Sequence, residues 1–309
     1  MSTYPIVKIA GIDLNDPSGR WEALPGTLML PHFPGRVETR VPTPGVPGYR
    51  GVAYAPGEPM KIPIVMRFNA VQTYANAIVP GGSSDRMAAI HQNIDTFFYA
   101  TALARQGYAG LVEISKEVMP GEVRVASARM IASAEPEFDV GSDHATMTLI
   151  FETPSGVWLD KEYTVYETTT LGGASWHKVD IPSGTAPQTE NQIAFRGPYR
   201  SNTPPYASFA NELGIGFDLG FTGADVDLNS DDWVIIDTTS WSNGYRRNAS
   251  TLPGSAWTAS KPHSQIQPLG RPLGNALTLL PSTTRGKATL RYRVPLQTQL
   301  QIRTRRAWY

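Results

Sequence analysis

Residues 61–70 read KIPIVMRFNA. Ile62, Ile64, Met66, Phe68 and Ala70 fall on one side of an extended chain, and Lys61, Arg67 and Asn69 on the other. A strict period of two is the pattern of a strand with one buried face. The same alternation recurs, more loosely, at 126–134 and 145–153 (ATMTLIFET). At 287–294 (KATLRYRV), Leu290, Tyr292 and Val294 oppose Thr289, Arg291 and Arg293. At 300–305, Leu300, Ile302 and Thr304 oppose Gln301, Arg303 and Arg305. The chain is therefore expected to be mainly β, with the C-terminal arginines on the solvent or interface face of a sheet.

One segment breaks the period. In 83–103 (SSDRMAAIHQNIDTFFYATAL), Met87, Ile90, Ile94, Phe97 and Phe98 recur at three- and four-residue steps. That spacing predicts an amphipathic helix packed on a sheet. Ser84 is its expected cap, Asp85 suits its first turn, and Gly107 its end. Residues 231–247 (DDWVIIDTTSWSNGYRR) predict a hairpin, with the turn at Ser242, Asn243 and Gly244, because Asn-Gly readily takes positive φ. The glycines of GIGFDLG (214–220) are expected to ease a strand through a bulge or bend.

With 309 residues the chain can bury a sizeable core, and its length suits two domains. Formal net charge is zero, so no whole-molecule attraction to nucleic acid or membrane is expected. No cysteine is present, which excludes disulfides, thiolate metal sites and a Cys nucleophile. The N-terminus lacks the basic-then-apolar pattern of a signal peptide, and no apolar run suits a membrane span. Synthesis in the cytoplasm without membrane insertion is the expectation. Charge is uneven: Glu212, Asp218, Asp225, Asp227, Asp231, Asp232 and Asp237 precede a stretch with no acid and many arginines. The two blocks are expected to face each other within a domain or across a subunit contact. Residues 41–59 (VPTPGVPGYRGVAYAPGEP) are too rich in Pro and Gly for a central strand. They are expected to form a long loop of functional or linker type. The turn-rich 171–188 is read as a linker between domains at 1–170 and 189–309.

The chemistry-bearing residues form no constellation in the sequence. His32, His91, His144, His177 and His263 stand apart, so no zinc motif is present. The acidic run from Asp225 matches the first donors of a calcium loop, but fails at Ser230 and Ile236, where Gly and Glu are needed. A polar turn before a strand is the plainer reading of that run. Glu135 and Glu137 read as surface residues rather than a hydrolase pair. Catalytic, cofactor and metal residues are accordingly expected to be absent. Trp233, Trp241 and Trp257 lie in the C-terminal half, where aromatic rings fill cores or stack on sugars. Trp241 and Trp257 are the candidate glycan or partner contacts.

The order of these phrases resembles a known family. A Pro/Gly-rich loop, KIPIVMRFNA, the helix DRMAAIHQNIDTFF, then ARMIASAEPEF and ATMTLIFETPSGVW are similar to the N-terminal domain of siphophage distal tail proteins. The phrases IPSGTAPQTENQIAFRGP, GFDLGF, DDWVIIDT, LPGSAW and GKATLRYRV resemble the galectin-like or carbohydrate-module-like β-sandwich that follows it. The resemblance implies a β-sandwich-like, ring-forming belt domain with one helix, then an outward β-sandwich. It implies a virion component at the distal end of the tail, forming a ring of its own copies, usually a hexamer. Such a ring meets the tail tube protein and the tail-tip hub protein, with the tape-measure protein and tail fibres as further partners. DNA passes through its channel only in transit. A carbohydrate-binding module or adhesin contacting host-surface glycans is the alternative. A glycan-cleaving enzyme and a tube subunit fit less well.

Overall fold

The computed structural model describes residues 6–24, 37–38, 55–56, 60–71, 83–102, 111–138, 143–153, 155–169, 175–196, 207–214, 216–221, 232–238, 242–246, 261–262, 266–269, 277–282, 286–294 and 299–309. Two compact units result, and the main division falls between Lys161 and Glu162.

The first unit contains strands β1 (Ile6–Ile9), β2 (Ile12–Asp13) and β3 (Trp21–Ala23). The two-residue strands β4 (Val37–Glu38) and β5 (Ala55–Pro56), which fall at the boundaries of the units, follow in sequence and pair as a sheet of their own. Then come β6 (Met60–Asn69), helix α1 (Ser83–Ala100), β7 (Val112–Met119) and β8 (Glu122–Ser133). Strands β9 (Glu137–Phe138), β10 (His144–Thr153) and β11 (Trp158–Asp160) complete it. Antiparallel pairing gives the order β2-β1-β7-β8-β10-β6-β3. The alternation at 61–70 is realised in β6, where Ile62, Ile64, Met66 and Phe68 are fully buried. β10 pairs with β6 along its whole length, from His144 opposite Asn69 to Thr153 opposite Met60. Its own even alternation points Ala145, Met147, Leu149 and Phe151 into the same layer. Pro63 lies outside the stretch of β6 that pairs with β3, which suits a residue without an amide donor.

Helix α1 seats Ile90, Ile94 and Phe97 on this layer. Phe97 meets Trp21 and Phe68 edge-on, with ring centres 5.6 and 5.5 Å away. Asn93 lies within the buried stripe, and its amide donates to the carbonyls of Asn69 and Val71 at 2.8 and 3.0 Å. Two details differ from the sequence reading. Met87, near the start of the helix, is 45% exposed, so the buried apolar row starts at Ile90. The helix begins at Ser83, so Ser84 lies inside its first turn. The expected end at Gly107 and the loop at 41–54 and 57–59 lie outside the described residues.

The second unit is a β-sandwich. One sheet has the order β12-β22-β14-β17-β18-β19 and the other β13-β21-β15-β16-β20. The strands are β12 (Thr164–Thr169), β13 (His177–Pro182), β14 (Asn191–Arg196), β15 (Ala207–Asn211), β16 (Gly216–Phe221) and β17 (Trp233–Asp237). They continue as β18 (Ser242–Arg246), β19 (Lys261–Pro262), β20 (Ile266–Leu269), β21 (Lys287–Arg293) and β22 (Gln299–Thr304). Both sheets contribute to one apolar layer, including Val179, Ile181, Ile193, Phe195, Phe209, Val234, Ile236, Leu290 and Ile302. The stretch 171–188, expected as a linker, carries β13 within this sandwich.

The hairpin at 231–247 forms, but its turn lies elsewhere. Ile236 pairs with Asn243 and Ile235 with Gly244, so Ser242, Asn243 and Gly244 belong to β18. The strand pairing from Asp237–Ser242 outward outweighed the local turn preference of Asn-Gly. Gly216 starts β16 because a Cβ there would sit 1.8 Å from the Phe209 carbonyl oxygen. Only glycine fits that approach.

Candidate functional site

The outer face of the β13–β21 pair concentrates positive charge beside an exposed indole. Alternation along 176–181 sends Val179 and Ile181 into the core, and leaves Trp176, Lys178 and Asp180 outside. The register sets Lys178 opposite Arg291 and Asp180 opposite Thr289. The guanidinium carbons of Arg291 and Arg293 lie 5.2 and 5.5 Å from the ring centre of Trp176, which remains 40% exposed. On the inner side His177 stacks on Tyr292 at 5.6 Å, which fixes the end of β13. Arg293 also donates to the Ser208 hydroxyl at 3.1 Å.

The other sheet repeats the motif around Tyr163, with Arg303 and Arg305 at 4.1 and 4.8 Å from its ring centre. Burial raises the Tyr163 hydroxyl above its ordinary pKa. Arg305 differs from the other three arginines because its Nε also donates to Glu190 at 3.0 Å. Beneath this corner lies a buried polar cluster. The Asn191 amide donates to the carbonyls of Gln188 and Leu277, and its oxygen accepts from Thr304 at 2.8 Å. Gln188 donates to the carbonyls of Pro182 and Arg305. These bonds satisfy irregular backbone that no strand serves.

In the first unit, β8 outruns its neighbour. β7 pairs with β8 from Met119–Glu122 to Val112–Ala128, and β10 takes over at Arg129. A bulge between Phe151 and Ile150 leaves Ile131 unpaired with β10. Ile131 and Leu111 are 42% and 46% exposed there. Among the described residues, the β7-facing edge of 129–133 has no strand partner.

Of the residues singled out from sequence, Trp233 is fully buried in β17 and so fills the interior. Trp241 and Trp257 lie outside the described residues, as do His32, His263 and the acidic run from Asp225 to Asp231. His91 packs against Phe138 at 5.0 Å, and His144 lines an open hollow of about 110 Å³ with Glu137, Phe138 and Thr146. Among the described residues no group of three or more His, Asp or Glu side chains could hold a metal ion. Among the described residues, Lys287 of the basic C-terminal run pairs with Asp180 and Arg305 with Glu190, both upstream of the acidic block. The sequence reading placed the arginines outward but missed Trp176 and Tyr163. The signal was available: Trp176 continues the outward row of Lys178 and Asp180.

No family model matches the chain, and no curated protein matches it. Among solved structures, the crystal structure of the SPP1 Dit protein, described as a paradigm of the hub adsorption apparatus in phages infecting Gram-positive hosts, is 11% identical with a TM-score of 0.52. The alignment covers 99% of this chain and 100% of that one. The fold is that of a siphophage distal tail protein. Components of the phage p2 baseplate in its activated conformation also align, with Ca at 9% identity and a TM-score of 0.38, and with Sr at 11% and 0.39. These cover 98% and 97% of this chain, and 97% and 98% of theirs. The distal-tail fold accounts for both units together, since the SPP1 alignment runs through each of them.

Proposed function

We propose that the chain is a structural subunit of a phage tail tip, forming a ring that joins the tail tube to the tail-tip hub. The observation that carries this reading is the distal-tail fold shared with SPP1 Dit from end to end. In this reading the N-terminal unit builds the ring, and the C-terminal sandwich faces outward towards fibres or the host surface. The β8 edge supports it, because a strand edge with no partner among the described residues, beside exposed apolar side chains, is a template for a strand of another copy. Native mass spectrometry of the purified chain tests the proposal. Closed rings, with a hexamer expected, support it, and a monomer at tens of micromolar overturns it. Ile131→Lys, which sets a charge on that edge, is expected to shift rings to monomers while leaving the melting temperature within about 2 °C.

A further inference from the structure

Two sets stand out among the described basic groups of the second unit. Lys287 and Arg305 reach Asp180 and Glu190. Lys178, Arg291 and Arg293 have no carboxylate partner among the described residues, and they share the outward face of β13 and β21. The Nε atoms of Arg291 and Arg293 are buried and find no acceptor among the described residues. Buried donors of this kind stay under-satisfied until something brings an oxygen. Between them and solvent lies Trp176, held by both guanidiniums yet 40% exposed. The protein as a whole is neutral, so this positive surplus is local.

We propose that this face binds an anionic polysaccharide, whose sugar ring stacks on Trp176 and whose carboxylate or phosphate is held by Arg291, Arg293 and Lys178. The inference does not rest on ring assembly. Charge complementarity requires an anion, and guanidinium edges take carboxylates and phosphates in forked pairs. The exposed indole selects a flat, weakly apolar partner, which a pyranose offers and an acidic peptide does not. A nucleic-acid strand would need successive aromatic rings along a basic groove, and among the described residues this face carries one.

Affinity electrophoresis of the full chain, in gels containing one polymer each, tests the proposal. Polygalacturonate and phosphomannan are expected to retard the protein, and neutral dextran is not. Whichever of the first two retards it more identifies the anion as carboxylate or phosphate. Trp176→Ala and the double variant Arg291→Gln/Arg293→Gln are each expected to weaken retardation about tenfold. Both are checked by thermal melting. If the double variant melts early, Lys178→Gln on the open surface replaces it, with a loss of about threefold. Absence of retardation by either anionic glycan overturns the proposal. Equal retardation by polyglutamate or a thymidine oligonucleotide overturns it too, as does full binding by Trp176→Ala.

Discussion

Lys116 carries an ammonium group into the interior of the first unit. It is only 7% exposed, and its Nζ lies 4.1 Å from the ring centre of Trp158, which is fully buried. Burial, and then the charge of Arg124 opposite it, lower its pKa from 10.5 to about 8. In the unfolded chain the amine protonates near its ordinary value. As pH falls from 10.5 towards 8, the unfolded state therefore takes up a proton that the folded state refuses. Folding stability should drop across that window and stay level below it. The full cost is about 3 kcal/mol at neutral pH, part of it returned by the indole face. Urea unfolding at pH 7.5 and 10 should show the protein more stable at the higher value. Lys116→Met should be more stable at pH 7.5 and lose that rise.

Asp16 behaves oppositely. Burial disfavours its charge, but bonds from the Arg20 side chain, Ser18 and the Arg20 amide outweigh this and bring its pKa down to about 2. Its stabilisation is present above pH 4 and fades as pH falls towards 2. Asp16→Asn should cost about 2 kcal/mol at pH 7 and almost nothing near pH 2, by the same unfolding measurement.

At the scale of elements, α1 separates two kinds of apolar residue that look alike in sequence. Phe97→Ala removes a ring lodged between Trp21 and Phe68, and should cost about 3–5 kcal/mol in thermal or urea unfolding. Met87→Ala, on the exposed side, should stay within about 0.5 kcal/mol. The stripe was legible because Ile90, Ile94 and Phe97 obey the helical period. Its polar member, Asn93, was not, since its role depends on carbonyls of Asn69 and Val71 that are remote in sequence. Strands β6, β10 and β21 were legible for a similar reason: each has one core face, and period two reports it, whereas in β22 Gln301, expected outward, is buried between Leu300 and Ile302. The β17–β18 turn was misplaced because local Asn-Gly preference yields to the register of a strand buried on both faces. The candidate site was half legible. Outward arginines follow from alternation, but their convergence on Trp176 follows from the β13–β21 pairing, which joins residues more than a hundred positions apart.

For the whole molecule, repetition decides what a weak surface can do. The Trp176 face is small, and one stacked sugar beside two or three cations gives modest affinity. A ring of copies would present the same face at fixed intervals, and a polymer with a repeating unit can occupy several at once. Each engagement after the first is then intramolecular, so residence on a long chain grows by orders of magnitude without any new contact. Dissociation should accordingly be at least tenfold faster for the Ile131→Lys form than for the parent on an immobilised polyanionic glycan, while short oligosaccharides bind both equally. Surface plasmon resonance with polymer and oligomer side by side would show it. An adhesive built this way lets go of fragments and holds intact surfaces, discriminating by the length of what it touches.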